Sequence, residues 1–471
     1  MRLAVLAALL LPTALAAQSA PPALVLATAQ EEAAAVDWIR ASGHAFDPGA
    51  YGEAELAPLV ARLSGARIVG IGEATHGGHQ DQAFKAELIK ALVRAGQIDV
   101  LVLEANRAAG AAFDGYVRGG TGDPARLVRG GAFFRIWKDD EFAGLLLWLR
   151  GWNQQSERQV RVVGIDDQDG GRDAAMALGF VSRFDSTAAR HLRGGLGSLI
   201  PAGKIEPGRF LDWYLQAPKA DVGKAAAASG ELRAWFAAAP ARARSDAGFD
   251  AARWAAETAW QAFQVFEFER ADADKARADA SYYGRRDRFM AANAIGMLGG
   301  AERAAIWAHD SHVMEDLPQI ARDMGFATLG TLLREKLGDG YATLGFTWSG
   351  GAFHASRLAS AEDMAKASQG QSLQVLRLPN NRPGELGHLF DQTGAQALWI
   401  DLSTRPKGAL LDAWAGRPYW RGWAGWGVVP ADWQKYNPET GDIPLPATMG
   451  HDVIVWFRTI SPSRLWPIPA K

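Results

Sequence analysis

The chain has 471 residues, of which 48% are hydrophobic and 22% are charged, and these proportions exclude a disordered polymer and a fibrous repeat. Fifty basic and 52 acidic side chains leave a formal net charge of −2, so the charge balance does not favour nucleic acid or an anionic membrane as a partner. The chain contains no cysteine, which excludes thiol nucleophiles, zinc–cysteine sites and disulfides.

Residues 1–16 have the pattern of a secretory signal peptide: a basic start at Arg2, the apolar run Leu3–Leu11 and an Ala-Leu-Ala ending. This run is too short to span a bilayer, and no later stretch of about 20 apolar residues follows. We therefore expect an exported protein, periplasmic or secreted, without stable membrane insertion. A Pro/Ala-containing linker over residues 17–29 is expected to precede the folded part.

Short β-branched strands alternate with helical stretches in the first part of the mature chain. The predicted helices cover 30–64, 80–95 and 141–152, and the predicted strands cover 67–72, 99–103 and 160–165. Buried apolar strands that alternate with helices are typical of right-handed βαβ units. The sequence therefore predicts an α/β fold, with a mostly parallel central sheet flanked by helices.

The strand signal is absent from about residue 171 to residue 299, where Ala, Arg, Trp and Phe recur at helical spacing. We expect a large all-helical insertion there, between the first part of the α/β core (30–170) and its second part (300–471). The strands predicted in the second part are 304–308, 341–348, 373–378, 397–402 and 453–457. Residues 414–436 hold five tryptophans among glycines and prolines, which predicts a loop.

Four predicted strands end in carboxylates or histidines: Glu73 and His76 after the first, Glu104 after the second, Asp166 after the third, and His309 and His312 after the insertion. Ligands of open α/β sheets lie beyond the carboxyl ends of the strands, so this pattern predicts an active site. Structural roles are the alternatives: Glu104 as a helix cap or ion-pair partner, Asp166 as the cap of the next helix, and Arg286 with Asp287 as a helix ion pair that anchors the insertion to the sheet.

The absent motifs narrow the chemistry. The sequence has no Gly-x-Ser-x-Gly elbow, no phosphate-binding loop and no Gly-x-Gly-x-x-Gly after the first strand. Histidine paired with carboxylate remains, which suits direct activation of water for hydrolysis. Two alternatives stay open. The spacings Glu73-x-x-His76 and His309-x-x-His312 also suit a metal-dependent hydrolase, and a non-catalytic relative could bind haem or another hydrophobic ligand.

In most of its mature length the chain resembles the erythromycin esterase-like family. The resemblance is carried by Gly72–Gly77 (GEATHG), Val100–Ala105 (VLVLEA), Val162–Asp166 (VVGID), Arg286–Asn293 (RDRFMAAN) and Trp307–His312 (WAHDSH). It implies an α/β core with a helical insertion and a carboxylic ester hydrolase that opens macrolide lactones, an antibiotic-resistance activity. It also implies that the partner is a small ester or lactone and that no metal or other cofactor is required.

The resemblance also assigns roles to individual residues. His76 is expected to be the general base for water, with Glu73 orienting it and Glu104 as a second carboxylate of the site. His309 and His312 are expected to polarise the ester carbonyl or stabilise the oxyanion, and Arg286 and Asp166 to bind substrate. Lys85 is expected to act in catalysis, at the position where the family usually has arginine. Lysine keeps the charge but lacks the planar fork of the guanidinium.

Overall fold

The computed structural model describes residues 25–130, 134–200, 209–270, 282–315, 327–358, 360, 362–363, 366, 373–377, 381–422, 424–425, 427–428, 445–448 and 450–466. The predicted signal peptide and the first part of the linker, residues 1–24, lie outside the described residues. The strands are β1 (His44–Phe46), β2 (Ile68–Ile71), β3 (Val100–Asn106), β4 (Arg161–Asp166), β5 (Ala304–Trp307), β6 (Tyr341–Trp348), β7 (Ala352–Arg357), β8 (Leu373–Arg377), β9 (Ala397–Asp401), β10 (Pro418–Tyr419), β11 (Gly427–Val428), β12 (Leu445–Pro446) and β13 (Val453–Phe457).

The helices of the first part are α1 (Ala29–Ser42), α2 (Glu53–Arg62), α3 (His79–Arg94), α4 (Arg107–Val117), α5 (Pro124–Gly130) and α6 (Asp140–Gln155). Those between β4 and β5 are α7 (Gly170–Phe184), α8 (Ser186–Leu196), α9 (Arg209–Gln216), α10 (Lys219–Ala237), α11 (Ala241–Arg244), α12 (Phe249–Arg270) and α13 (Tyr282–Gly296). The remaining ones are α14 (Asp310–Val313), α15 (Leu329–Leu337), α16 (Leu386–Asp391) and α17 (Ala409–Ala415). Single 3-10 turns cover Arg135–Trp137, Gly338–Gly340 and Leu402–Thr404.

The central sheet has eight strands in the order β1-β9-β13-β6-β2-β5-β3-β4. The six strands from β13 to β4 are parallel to one another, whereas β9 and β1 run antiparallel at one edge. The prediction of a mostly parallel central sheet flanked by helices is therefore confirmed. The parallel order brings the carboxyl ends of β2, β5, β3 and β4 side by side, so the polar residues that follow these strands meet at one edge.

Successive residues of the central strands pack on opposite faces of the sheet. In β3, Leu101 and Leu103 belong to the hydrophobic core on one face, and Val100 and Val102 to the core on the other. Because helices cover both faces, the inner positions of β3, residues 100–103, are all apolar, as is typical of parallel sheets. This is why a continuous β-branched run, rather than an alternating one, predicted them.

Between β4 and β5 the described residues form helices and no strand. These helices bury a hydrophobic core of their own, which includes Leu178, Phe210, Leu232 and Phe263. The last of them, α13, is different, because Met290 and other residues of its apolar face pack against the central sheet. Helix α13 thereby carries Arg286 and Asp287 to the sheet edge where the polar strand ends lie.

The predicted helical region 30–64 is interrupted, and this part of the prediction was wrong. Helix α1 ends at Ser42, and β1 then pairs antiparallel with the edge strand β9, with His44 stacked on Trp399 at a centroid distance of 3.9 Å. Pairing with a strand more than 350 positions away overrides the local helical pattern.

A second departure concerns β8 and the tryptophan-rich segment. Strand β8 belongs to a small separate sheet, β11-β7-β8, and not to the central one. The predicted loop 414–436 contains β10 and β11, and Trp414 and Trp420 are buried in it, whereas residues 429–436 lie outside the described residues. Among the described residues, no helix is long and apolar enough to cross a membrane.

Candidate active site

The turn that follows β2 carries Glu73 and His76 and leads into α3. Gly72 opens this turn because a side chain would not fit: a Cβ there would lie 1.9 Å from Oδ1 of Asp310 and 2.8 Å from the carbonyl oxygen of Leu344. The close approach of the turn to Asp310 joins the end of β2 to the end of β5. The backbone N–H of Asp310 also donates to the carbonyl oxygen of Glu73 at 3.1 Å.

The carboxylate of Glu73 is fully buried and accepts hydrogen bonds on both oxygens. Oε1 accepts from Nδ1 of His76 and, at 2.9 Å, from Nε1 of Trp137. Oε2 accepts from Nε2 of Gln82 at 2.9 Å and from Nζ of Lys85 at 2.5 Å. Burial by itself raises the pKa of Glu73, but the charge of Lys85 and the bond from His76 hold it below its ordinary value. Glu73 is therefore ionised at neutral pH.

The ring of His76 is 11% exposed and is held by this carboxylate. Since an ionised carboxylate can only accept, Nδ1 of His76 is the donor, and the neutral ring has its lone pair on Nε2. Within the described part of the chain, Nε2 has no hydrogen-bond partner. Trp137 meets the ring edge-to-face at 5.0 Å, and the ring of His309 lies 4.9 Å away between centroids. The arrangement presents a basic nitrogen beside a second histidine.

Lys85 is fully buried on the side of Glu73 away from His76. Its ammonium also donates to the carbonyl oxygen of Ala308 at 3.1 Å and lies 4.3 Å from the ring centroid of Trp307. Burial lowers the pKa of Lys85, although Glu73 opposes this effect. Among the described residues, the hydrogen bonds of Lys85 connect it to His76 through Glu73.

His309 is buried and has the opposite tautomer. Its Nδ1 accepts from the backbone N–H of Ser311 at 3.2 Å and lies 2.8 Å from the hydroxyl of the same residue. A ring that accepts at Nδ1 carries its proton on Nε2. Burial, together with nearby His76, lowers the pKa of His309 to about 3, so the ring is neutral at physiological pH. The site therefore pairs a histidine that can accept a proton at Nε2 with one that can donate a hydrogen bond from Nε2.

Four other predicted residues form a second group together with Asp287, which we call the buried ion cluster: Glu104, Asp166, Arg286, Asp287 and His312. The guanidinium of Arg286 binds Asp166 through Nε and Nη2, both at 2.9 Å, and donates to Glu104 at 2.6 Å. His312 contacts Asp287 at 2.6 Å through Nδ1. All five side chains are buried, so the structure places the predicted substrate-binding residues Arg286 and Asp166 against each other.

The charges of the buried ion cluster support one another. Burial opposes protonation of His312, but the carboxylates of Asp287 and Glu104 raise its pKa to about 10. Conversely, His312 and Arg286 overcome burial and hold the pKa of Glu104 well below its usual value. Nε2 of His312 lies 3.3 Å from Oε1 of Glu104 and 2.9 Å from Nη1 of Arg286. When the ring is neutral, Nε2 accepts from Nη1 of Arg286, and when the ring is protonated, Nε2 donates to Glu104.

The buried ion cluster adjoins the histidine site through Glu104, whose Oε2 accepts from the backbone N–H of His309 at 2.9 Å. Two structural alternatives can now be judged. Asp166 does not cap the next helix, since the N-cap of α7 is Asp169. Arg286 and Asp287 anchor the insertion to the sheet edge, as expected, but their hydrogen bonds go to Asp166, Glu104 and His312 on other elements.

Sequence reasoning missed three residues of the site: Gln82, Trp137 and Asp287. Gln82 had a usable signal, because it precedes Lys85 by three positions and so shares its face of α3. Asp287 lies next to a motif arginine. Trp137 had no signal, since it follows a separate helix and reaches Glu73 from 64 positions away. Among the described residues, no group of three or more His, Asp or Glu side chains has an arrangement that could hold a metal ion.

The fold and this site define an α/β protein with a histidine–carboxylate centre at the carboxyl edge of a parallel sheet. The chain belongs to the erythromycin esterase family, whose model matches residues 93–460. The match includes the buried ion cluster and His309 and begins after Glu73, His76 and Lys85. The family supports an esterase-type hydrolase that acts on a small-molecule ester or lactone.

Solved structures show the same fold. A protein from Bacillus cereus superposes with a TM-score of 0.74 at 20% identity, over 93% of this chain and 99% of that one. A succinoglycan biosynthesis protein gives 0.70 at 15%, over 92% and 98%. A histidine-to-asparagine mutant of the erythromycin esterase EreC in its open conformation gives 0.65 at 16%, over 91% and 99%. At these identities, the likeness concerns the fold alone.

Proposed function

We propose that this protein hydrolyses an ester or lactone bond by direct attack of water, with His76 as the general base. One observation carries the proposal: Nδ1 of His76 is bound to the ionised carboxylate of Glu73, while Nε2 has no partner among the described residues. A lone pair that is held in place and not used by the protein suits removal of a proton from water.

Hydrolysis begins with the attack of water on the carbonyl carbon of the substrate. Nε2 of His76 takes a proton from water while the water oxygen forms a bond to the carbonyl carbon, which gives a tetrahedral oxyanion and an imidazolium. The carboxylate of Glu73 stabilises that imidazolium. The intermediate then collapses, the bond to the leaving oxygen breaks, and the proton on Nε2 passes to the leaving alkoxide. The products are an acid and an alcohol, or one hydroxy acid when the substrate is a lactone.

His309 suits the second role, stabilisation of the oxyanion. Its neutral ring carries the proton on Nε2, and its centroid lies 4.9 Å from that of His76. A donor held in a buried site is worth more than the same donor in water, because no solvent has to reorganise during the reaction. The carboxylate of Glu104 accepts a hydrogen bond from the backbone N–H of His309, and Arg286 in turn holds Glu104 in place.

The decisive experiment incubates the purified protein with a panel of macrolides, simple lactones and acyclic esters in H₂¹⁸O, followed by mass spectrometry. Hydrolysis adds one water, and direct attack places a single ¹⁸O in the acid product. The variant His76→Ala should lose turnover. The matched control is His191→Ala, because the side chain of His191 is 73% exposed and lies in the helical insertion. Full turnover by His76→Ala would disprove the assignment of the base.

We also propose macrolide lactones as the first substrates to test, and export as the location. Macrolides follow from the family resemblance, and a panel in which only acyclic esters react would reject them. Export follows from the pattern of residues 1–16. Expression in a bacterium with two membranes, followed by N-terminal analysis of the periplasmic fraction, should give a chain that begins just after Ala16 or Ala17. An intact Met1 in the cytoplasm would contradict it.

A further inference from the structure

Residues 461–466, which we call the C-terminal strap, run across the turn that carries His76. The backbone N–H of Ser463 donates to the carbonyl oxygen of Gly77 at 2.8 Å, and the N–H of His79 donates to the carbonyl oxygen of Ser461 at 2.7 Å. Gly78 and Pro462 form a β-bridge between these two bonds. The side chain of Gln80 adds a bond from the N–H of Ser461 at 2.7 Å. The strap therefore pairs with the residues directly after His76.

The same strap also holds the segment that carries Trp137. The N–H of Trp466 donates to the carbonyl oxygen of Lys138 at 3.0 Å, and Nη2 of Arg135 donates to the carbonyl oxygen of Trp466 at 2.5 Å. Nε1 of Trp466 donates to Asp140 at 2.5 Å. Trp137 thus lies between two residues that are both bound to the strap, and it donates to Oε1 of Glu73.

Glu141 joins the two sides. Its carboxylate is almost fully buried, binds Nδ1 of His79 and accepts from the N–H of Arg464 at 3.2 Å. One acidic side chain therefore links α6, the first residue of α3 and the strap. Gly77 and Gly78 separate His76 from α3, and glycine loses the most conformational freedom when it is ordered, so the turn depends on bonds from other elements. The strap shares this role with β7, since the N–H of His354 donates to the carbonyl oxygen of Gly77 at 3.1 Å, and with Gln82, whose side-chain amide donates to the carbonyl oxygen of His76 at 2.9 Å.

We propose that the C-terminal strap is a positioning element of the catalytic histidine: it helps to fix the carbonyl of Gly77 on one side and Trp137 on the other, so that His76 keeps Nδ1 on Glu73. The inference rests on the proposed role of His76 as the base. Among the described residues, no hydrogen bond joins the strap to the side chain of Glu73 or His76, so it acts through the backbone that carries them. Residues 461–466 also lie just beyond the family match, which ends at residue 460.

The test compares two truncations of the otherwise complete protein. One ends at Ile460 and removes the strap, and the control ends at Trp466 and keeps every contact named above. In histidine-¹⁵N-labelled protein, the ring nitrogen shifts report which nitrogen of His76 carries the proton, and His76→Ala identifies the signal. We expect the chain that ends at Trp466 to keep the Nδ1–H form, and the chain that ends at Ile460 to show both tautomers in exchange. For an ester that the native protein hydrolyses, kcat should fall about 10- to 100-fold with little change in KM.

An unchanged Nδ1–H form in a folded chain that ends at Ile460 would overturn the proposal. If that truncation does not fold, Trp466→Ala decides by the same nitrogen shifts, with Trp466→Phe as the conservative variant that keeps the ring stacked under Arg129. Trp466→Phe should retain more of the Nδ1–H form than Trp466→Ala, and equal shifts in the two variants would count against the strap. The nitrogen shifts need no substrate, so a strap that controls the tautomer in a protein without hydrolytic activity would reject the proposed function alone.

Discussion

The two polar groups at the sheet edge have nearly the same chemical composition but different connections. The group around Glu73 has a carboxylate, a buried cation in Lys85 and the histidine His76, and one histidine nitrogen has no partner in the described chain. The buried ion cluster also combines carboxylates, a cation and a histidine, but both nitrogens of His312 contact charged groups. Among the described residues, the first group leaves one histidine nitrogen without a hydrogen-bond partner, whereas the second uses both nitrogens of its histidine in contacts with charged groups.

This difference explains how one edge of the sheet can hold both groups. The buried ion cluster joins the ends of β3 and β4 to α13 and α14, and so ties the helical insertion to the core. A buried ion pair adds little net stability compared with apolar packing, but the loss of one partner is costly because a charge remains buried without compensation. We therefore expect substitutions in the first group to reduce activity and substitutions in the second to reduce stability.

The largest effect on activity is expected for His76→Asn, and the same substitution at His312 serves as the comparison. His76→Asn should lower kcat/KM by about 10²- to 10⁴-fold, the usual contribution of a general base. Its free energy of unfolding should change by less than about 1 kcal/mol, because the ring is partly exposed and Glu73 keeps three other donors. Steady-state kinetics and urea unfolding measure the two quantities. The contrast fails if His312→Asn shows this same profile.

The next effect tests the buried ion cluster. Arg286→Met should lower the free energy of unfolding by about 3–5 kcal/mol, because Asp166 and Glu104 would remain buried without their cation. Urea unfolding followed by circular dichroism measures the change. The control is Arg183→Met, whose partner Asp246 forms a largely exposed pair with it, for which about 0–1 kcal/mol is expected. Similar losses in the two variants would mean that the cluster is not a special source of stability.

The pH dependence of stability should follow His312. Its folded pKa of about 10 lies above the ordinary histidine value of 6.5 taken for the unfolded chain, so its contribution is complete below pH 6.5 and is lost as the pH rises through about 10. The free energy of unfolding should therefore decrease between pH 7 and pH 10. The slope should be smaller in His312→Asn, whatever its stability at pH 7. An unchanged slope in that variant would assign the alkaline loss to other groups.

Lys85 is as buried as the members of the buried ion cluster, but it binds Glu73 in the group that contains His76. In Lys85→Met the carboxylate of Glu73 loses a charge-assisted hydrogen bond, a contact worth about 1.5–3 kcal/mol. If that energy is used to stabilise the imidazolium, kcat/KM should fall roughly 10- to 100-fold. The pKa of Glu73 should rise in the same variant. The acidic limb of the pH–rate profile should therefore move to a higher pH. A pH–rate profile that is shifted neither in height nor in position would remove Lys85 from the machinery.

The smallest effect concerns the tautomer of His309. In Ser311→Ala the hydroxyl contact at 2.8 Å is lost, but the backbone N–H still donates to Nδ1. The proton should therefore remain on Nε2, and kcat/KM should change by no more than the worth of one neutral hydrogen bond, about 0.5–1.5 kcal/mol. Ring ¹⁵N shifts of His309 provide the check. A switch of tautomer would show that the hydroxyl, and not the backbone, controls this histidine.

Local patterns in the sequence determined the parts of this protein that depend on neighbouring residues. Buried β-branched runs predicted the central strands, helical spacing predicted the insertion, and Glu73, His76, Glu104, Asp166, His309 and His312 stood out because each follows a strand. A strand end is a local property, and parallel strands bring their ends together, so the sequence could predict that these side chains would meet at one edge of the sheet. The esterase motif then predicted the family, which is confirmed.

The tertiary structure alone decided how these residues are connected. Arg286 pairs with Asp166 across 120 positions and with Glu104 across 182, and Trp137 reaches Glu73 across 64. The same holds for β1, which pairs with β9, and for the C-terminal strap, which binds the turn of His76. Such contacts are set by how helices and loops pack over the sheet, and no local pattern encodes that packing. Hence the sequence showed which residues meet at the site, whereas the folded chain decided which nitrogen remains available for chemistry.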